Sequence, residues 1–226
     1  MTARRLGTLT IGQAPRPDIT PILDAALDPA VPRLHAGLLD GLDRSAIAAR
    51  FAPREGRPVL ITRLLDGSSV TIDKQAAQQA AQARIDALEA EGCTTILLLC
   101  TGAFAGLACR RAMLIEPDRI VPPAVAALAG ERQVGIVVPL ASQIASEASK
   151  WAALARPPVC EAASPYAGEE AGVAGAAQKL RERGAEILVM DCMGFTQRHR
   201  QAAAAASGLA VILSNAMIAK LTSEIL

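Results

Sequence analysis

Two stretches of the chain follow one plan. The first runs Leu88-Glu-Ala-Glu-Gly92, then Cys93-Thr-Thr-Ile-Leu-Leu-Leu99, then Cys100-Thr101-Gly102. The second runs Leu180-Arg-Glu-Arg-Gly184, then Ala185-Glu-Ile-Leu-Val-Met-Asp191, then Cys192-Met193-Gly194. In each, the Gly stands four positions after the Leu and the Cys eight positions after the Gly. This order reads as a helix end, a glycine cap, a buried parallel strand and a Cys-x-Gly turn at the strand's carboxyl end. Open α/β sheets bind their ligands at that end. A duplicated thiol there predicts two sulfurs that share one substrate.

The rest of the chain alternates apolar runs of strand length with segments of helical period, which predicts an α/β fold of two pseudo-symmetric lobes with mostly parallel sheets. Strands are expected at Leu6–Ile11, Arg33–Gly37, Val134–Val138, Val159–Ala162 and Leu209–Leu213, besides the two cysteine strands. Val59–Leu64 and Ser69–Ile72 flank Asp66-Gly67 and read as a hairpin. Helices are expected around Ile19–Leu27, from about Ser45, over Lys74–Glu91, Gln143–Leu154, Gly172–Arg183 and Arg198–Ser207, and from Ser214-Asn215 to Leu226. Pro122-Pro123 reads as a stiff break and the first crossing between lobes. The expected division is residues 1–122 plus 208–226 for the first lobe and 123–207 for the smaller second, with an extra stretch from about Arg33 to Ile72 in the first.

Composition narrows the classes. Hydrophobic residues make up 51% of the 226, yet only three Phe, one Tyr and one Trp are present, so the core is aliphatic and rich in Ala. A net charge of +1 makes no electrostatic case for nucleic acid or an anionic membrane as partner. The longest apolar runs fall far short of the roughly 20 residues that span a bilayer, and the opening Met-Thr-Ala-Arg-Arg leads into a run too short and Thr-rich for a secretory segment. Five cysteines without CxxC or CxxH spacing argue against a disulfide framework or a zinc site. A cytoplasmic protein acting on a small molecule is the expectation, with homo-oligomer formation left open. There is no phosphate loop, G-x-G-x-x-G after the first strand, H-E-x-x-H or G-x-S-x-G.

The two Cys-x-Gly turns, each closing an apolar strand and 92 positions apart, resemble those of the aspartate/glutamate racemase superfamily. A closer resemblance, to the AroM family, runs nearly end to end. It rests on Thr10-Ile-Gly-Gln-Ala-Pro-Arg16, Gly37-Leu-Leu-Asp-Gly-Leu42, Leu97-Leu-Leu-Cys-Thr-Gly102, Glu116-Pro-Asp-Arg-Ile120, Trp151, Pro165-Tyr166, Asp191-Cys192, Gln197-Arg-His-Arg200 and Leu213-Ser-Asn215. The resemblance implies two α/β lobes with an active site between them; the AroM family carries no settled activity. Glutamate-type racemases follow their cysteines with Asn-Thr and Thr-His, whereas this chain has Thr101-Gly102 and Met193-Gly194, closer to the hydantoin-racemase branch.

Racemisation next to a carboxylate or amide needs a base on one face of the carbon and an acid on the other. Cys100 and Cys192 supply both if one is thiolate and the other thiol. A free Cys, with a pKa of about 8.5, needs a helix N-terminus to bring one sulfur near neutrality, and two adjacent thiolates would repel. Such chemistry requires no cofactor and no metal. Gly102 and Gly194 are expected to offer N–H groups to a substrate carboxylate, with Thr101 adding a hydroxyl, Met193 shaping the pocket, and Asp191 tuning the thiol or orienting a neighbour. Gln13 and Arg16, on the loop after the first strand, are expected to orient the substrate, Arg16 as a carboxylate clamp, or else to shape a proline-rich helix start. Tyr166 reaches the cleft or packs in a turn. Arg63 reads as a solvated strand charge, His35 and His199 as lone histidines, Trp151 as core, and Cys93, Cys109 and Cys160 as inert. Two alternatives remain beside the racemase or isomerase reading: a single-thiol isomerase or decarboxylase, and a non-catalytic small-metabolite binding protein.

Overall fold

A computed structural model describes residues 4–168 and 170–226. The leader reading rests partly on residues 1–3, which lie outside the described residues. The chain divides into two compact units, Met1–Pro117 with Ala219–Leu226, and Asp118–Ile218. No helix among the described residues is long and apolar enough to cross a membrane.

The first unit is built on a parallel sheet of β1 (Leu6–Thr10), β2 (Arg33–Gly37), β5 (Thr95–Leu99) and β6 (Met113–Ile115), in the order β2-β1-β5-β6. A separate antiparallel hairpin joins β3 (Val59–Arg63) to β4 (Ser69–Asp73), with Arg63 opposite Ser69. Its helices are α1 (Thr20–Asp24), α2 (Arg44–Phe51) and α3 (Lys74–Ala90). The α3 helix starts at Asp73, whose carboxylate accepts the Ala76 N–H at 2.8 Å. Ala77, Ala81, Ile85 and Leu88 are its buried residues. Their spacing of three and four makes one apolar stripe.

The second unit repeats the sheet. β7 (Val134–Val138), β8 (Val159–Ala162), β9 (Ile187–Met190) and β10 (Ala210–Leu213) run parallel in the order β8-β7-β9-β10. Strand for strand this matches β2-β1-β5-β6. Its helices are α4 (Pro117–Ala129), α5 (Ile144–Lys150), α6 (Glu170–Glu182) and α7 (Gln197–Ser207), and α8 (Ser214–Ser223) begins in it and ends in the first unit. A short 3-10 turn, Ala141–Gln143, precedes α5.

The repeated sequence plan becomes a repeated local structure. Gly92 and Gly184 have φ of 87° and 88°. Beyond them, the Cys93 N–H donates to Leu88 O and the Ala185 N–H to Leu180 O, each at 3.0 Å, the long bond of a Schellman turn. Gly7 and Gly135 hold the second place of β1 and β7. A Cβ at Gly7 would stand 3.1 Å from Cys93 Sγ and 3.3 Å from Leu88 Cδ1; at Gly135 it would stand 2.8 Å from Ala185 Cβ and 3.2 Å from Leu180 Cβ. Each helix end therefore lies on its sheet through the same pair of positions.

Three expectations shift. Pro122 and Pro123 lie inside α4 and do not break it. An interior proline costs about 3 kcal/mol, but α4 buries Val121, Val125 and Ala129 completely or nearly so, and that burial outweighs local preference. β10 pairs with β9, so residues 208–218 belong to the second unit and the chain returns to the first at Ala219 rather than at 208. Because β2 has a counterpart in β8, the stretch particular to the first unit begins after Gly37, not at Arg33.

Gly12 anchors that added stretch. A Cβ there would stand 2.3 Å from the Arg63 carbonyl oxygen and 2.4 Å from Thr62 Oγ1. The expected result of Gly12→Ala is a loss of about 2 kcal/mol in urea unfolding, since backbone must move. Gly172→Ala, where a Cβ meets nothing within 4 Å, is expected to leave stability unchanged or raise it by up to about 1 kcal/mol.

Candidate active site

Strand order reverses between β1 and β5 in the first unit and between β7 and β9 in the second. In open α/β sheets a reversal of this kind is the place where a ligand crevice forms. Cys100 follows β5 directly; Asp191 and Cys192 follow β9. Both sulfurs stand at such a reversal, each on the margin of its own unit's apolar core.

The Cys-x-Gly turns act on sulfur. The Gly102 N–H donates to Cys100 Sγ at 3.3 Å, and the Gly194 N–H donates to Cys192 Sγ at 3.5 Å. These are the amides expected to hold a substrate carboxylate; the fold aims them at the thiols, where an N–H favours the thiolate. Around Cys100 the turn is walled by Leu60 and Phe104, which approach Gly102, and Thr101 is buried. Around Cys192, Tyr166 presents its hydroxyl at 4.0 Å from Sγ. A Cβ on Gly194 would stand 2.3 Å from that hydroxyl oxygen, so the glycine makes room for the ring. Met193 is 2% exposed and belongs to the interior. Its carbonyl and that of Phe195 accept both N–H bonds of the buried Asn215 amide, at 2.9 and 2.6 Å.

The loop after β1 is tied from within. Gln13 donates from Nε2 to Leu39 O and Leu42 O, and its Oε1 accepts the Leu65 N–H at 2.8 Å. Asp40 accepts the Ala14 and Gly37 N–H groups at 2.8 and 2.6 Å. Arg16 is 4% exposed and forms a bidentate pair with Asp18 at 2.9 and 2.7 Å, while its Nη1 donates to Thr10 Oγ1. The guanidinium that the sequence offers to a substrate carboxylate is thus matched by a carboxylate two residues on. Gln13 and Arg16 tie the loop after β1 together.

The segment after β7 carries a different cluster, of which the sequence singled out only Asp191. Lys150 of α5 forms a short ion pair with Asp191, and Glu147, one turn earlier, accepts the Trp151 indole N–H at 2.8 Å. Glu147 and Asp191 are 5% and 3% exposed. Burial first, then the charge on Asp191, pushes the Glu147 carboxyl up to about 7. For Lys150, burial opposes the charged form, but Asp191 and Glu147 outweigh it and raise its pKa.

The other cysteines are set apart. Burial raises the thiol pKa of Cys93, and burial followed by nearby carboxylates raises those of Cys109 and Cys160 to about 11. All three stay protonated at neutral pH. His199 accepts the Thr196 N–H at 2.9 Å as part of the α7 cap, with burial lowering its pKa, while Arg198 and Arg200 are exposed. His35 Nδ1 lies 2.7 Å from Thr8 Oγ1, and Trp151 is core.

A family model described as AroM protein matches residues 6–226. The chain belongs to the AroM family. Among curated proteins no sequence relative matches it. Solved structures similar to this AroM-family chain include unliganded arylmalonate decarboxylase, with 14% identity, 98% of this chain and 91% of that chain covered, and a TM-score of 0.61. Allantoin racemase from Klebsiella pneumoniae has 14% identity, coverage of 98% and 87%, and a TM-score of 0.63. The maleate isomerase Iso from Pseudomonas putida S16 has 12% identity, coverage of 99% and 93%, and a TM-score of 0.64. These likenesses give the AroM-family chain the aspartate/glutamate racemase-like fold.

Glu147 makes stability depend on pH in a defined direction. Its pKa is higher folded than unfolded, so its contribution is whole below about pH 4.5 and is lost as pH rises through about 7. Relative to Glu147→Gln, the native protein is expected to lose roughly 2 kcal/mol over that interval in chemical unfolding at a series of pH values. Parallel pH dependence in the two proteins would show that Glu147 titrates alike folded and unfolded.

Proposed function

We propose that this chain is a cofactor-independent racemase or isomerase, with Cys100 and Cys192 as an acid/base pair acting on a small carboxylate or cyclic amide that carries an acidic C–H. The observation that carries this reading is the equivalence of the two thiols: same strand, same strand end, same N–H···S turn, in two sheets of one topology. The fold shared with two isomerising enzymes and a decarboxylase supports it.

In the proposed reaction a cysteine thiolate takes the proton from the carbon, and the electron pair passes to the adjacent carbonyl. The second cysteine, as thiol, returns a proton to the opposite face. One proton leaves the substrate and one enters, and the sulfurs exchange protonation states. The amides of Gly102 and Gly194 stabilise whichever sulfur is anionic, which lets either serve as base. Met193 and Thr101 hold the turns from the core side, and Tyr166 faces the sulfur of Cys192.

A single-thiol isomerase or decarboxylase is the second reading, favoured by the unequal neighbours of the sulfurs: Asp191 and Tyr166 at Cys192, Leu99 and Leu60 at Cys100. Deuterium incorporation in heavy water, followed by NMR on 5-monosubstituted hydantoins and α-substituted carboxylates, separates the two. The acid/base pair predicts that Cys100→Ser and Cys192→Ser each lower racemisation by at least about 100-fold. Loss in one variant alone selects the single-thiol reading. Unchanged exchange in both rejects thiol chemistry.

A further inference from the structure

Ser214 and Asn215 open α8 at the carboxyl end of β10, and both are fully buried. Residues of these types at a helix start ordinarily cap it, their side-chain oxygens accepting first-turn N–H groups. Neither does so here. Ser214 Oγ and Asn215 Oδ1 are buried with no hydrogen-bond partner among the described residues. Asn215 uses its donors instead, giving one N–H to Met193 O at 2.9 Å and the other to Phe195 O at 2.6 Å. A buried acceptor left unpaired costs stability, so the amide is held in this place by its NH2 end. Turned over, it would set its oxygen against two carbonyl oxygens.

We infer that Asn215 is a positioning residue for Cys192: by holding the Met193 carbonyl it aims the Gly194 N–H at the Cys192 sulfur and so favours the thiolate. The clasp stands on geometry alone; its catalytic meaning rests on the proposed thiol chemistry.

The link is a peptide plane. Met193 O and the Gly194 N–H belong to one planar trans unit, whose C=O and N–H point in opposite directions. Fixing the oxygen on Asn215 therefore fixes the direction of the N–H, which meets Cys192 Sγ at 3.5 Å. The plane needs such a hold, because a glycine offers little resistance to rotation of the peptide before it. Rotation would exchange the N–H facing sulfur for a carbonyl oxygen, which disfavours a thiolate. The bond to Phe195 O braces Asn215 on the residue after Gly194, and the Phe195 N–H donates to Cys192 O at 3.3 Å, closing the turn. Sheet register brings the partners together: Leu213 stands opposite Met190, and two residues further on the chains reach Asn215 and Cys192.

The test is a 13C and 15N NMR titration in a Cys100→Ser background, which removes coupling between the two thiols. The Cys192 Cβ signal is assigned by its absence when Cys192→Ser is added. Asn215→Leu, which keeps the bulk and removes the donors, should raise the Cys192 midpoint by about one pH unit. With Asn215 in place the Gly194 amide proton should shift with the Cys192 midpoint, and in Asn215→Leu that response should shrink. Val211→Ala opens a cavity at a buried position of β10 while keeping the clasp, so it should lower stability and leave the midpoint where it is. A Cys192 midpoint unmoved by Asn215→Leu, or moved equally by Val211→Ala, overturns the proposal. If Asn215→Leu does not fold, the Gly194 amide and the Asn215 side-chain NH2 signals decide: both following the Cys192 midpoint supports the clasp, and silence of either overturns it. Carbon-acid exchange absent from the native protein while the Cys192 shift holds removes the reaction and leaves the clasp standing; exchange intact with an unmoved midpoint does the opposite.

Discussion

A parallel strand buried on both faces has one place to deliver a polar or reactive group: the residue just past its carboxyl end. The positions of Cys100 and Cys192 depend on how β5 and β9 are brought to that point. A helix ends in a left-handed glycine, the long Schellman bond runs back to Leu88 or Leu180, and a glycine in the neighbouring strand lets the helix end lie flat on the sheet. Those contacts set the register of the strand, and register sets where the sulfur stands. A slip of one residue would turn Cys100 or Cys192 to the other face of its sheet.

On that duplicated frame the two units spend their polar residues differently. The first encloses its loop with neutral and self-paired groups. Gly12 lies against the hairpin, Gly37 against the Gly12 loop, and Gln13 and Asp40 satisfy backbone groups that the tight packing would otherwise strand. The second places ionisable groups at the corresponding point and lets them interact in a buried setting. The glycine amides that the sequence offers to a ligand are instead directed at sulfur, which ties the turn to the protonation state of the thiol.

Much of this was legible before any coordinates. The strands at Arg33–Gly37, Val134–Val138 and Val159–Ala162 have the expected bounds, because short apolar runs between turn residues have few other ways to fold. α4 was not legible, since two adjacent prolines argue against a helix and only the burial of Val121 and Val125 reverses that. β6, three residues at a sheet edge, carries too little pattern to announce itself. Gln13 and Arg16 lie on the loop after β1, but nothing local says that Asp18 and three backbone groups bond their side chains. Glu147 and Lys150 left only a trace, an acid and a base three apart on a short helix. That spacing usually marks an exposed face.

The sequence by itself determined the plan: a repeated helix–glycine–strand–cysteine unit, an aliphatic core, and a thiol at the same strand end twice over. Periodicity and glycine chemistry are local, so they survive in a linear string. Only the tertiary structure decided that β10 completes the second sheet, that the Cys-x-Gly amides address sulfur, and that Asp191 meets Lys150 and Glu147. Those outcomes depend on which groups from distant parts of the chain lose water together, and a buried charge takes its meaning from its neighbours rather than from its place in the sequence.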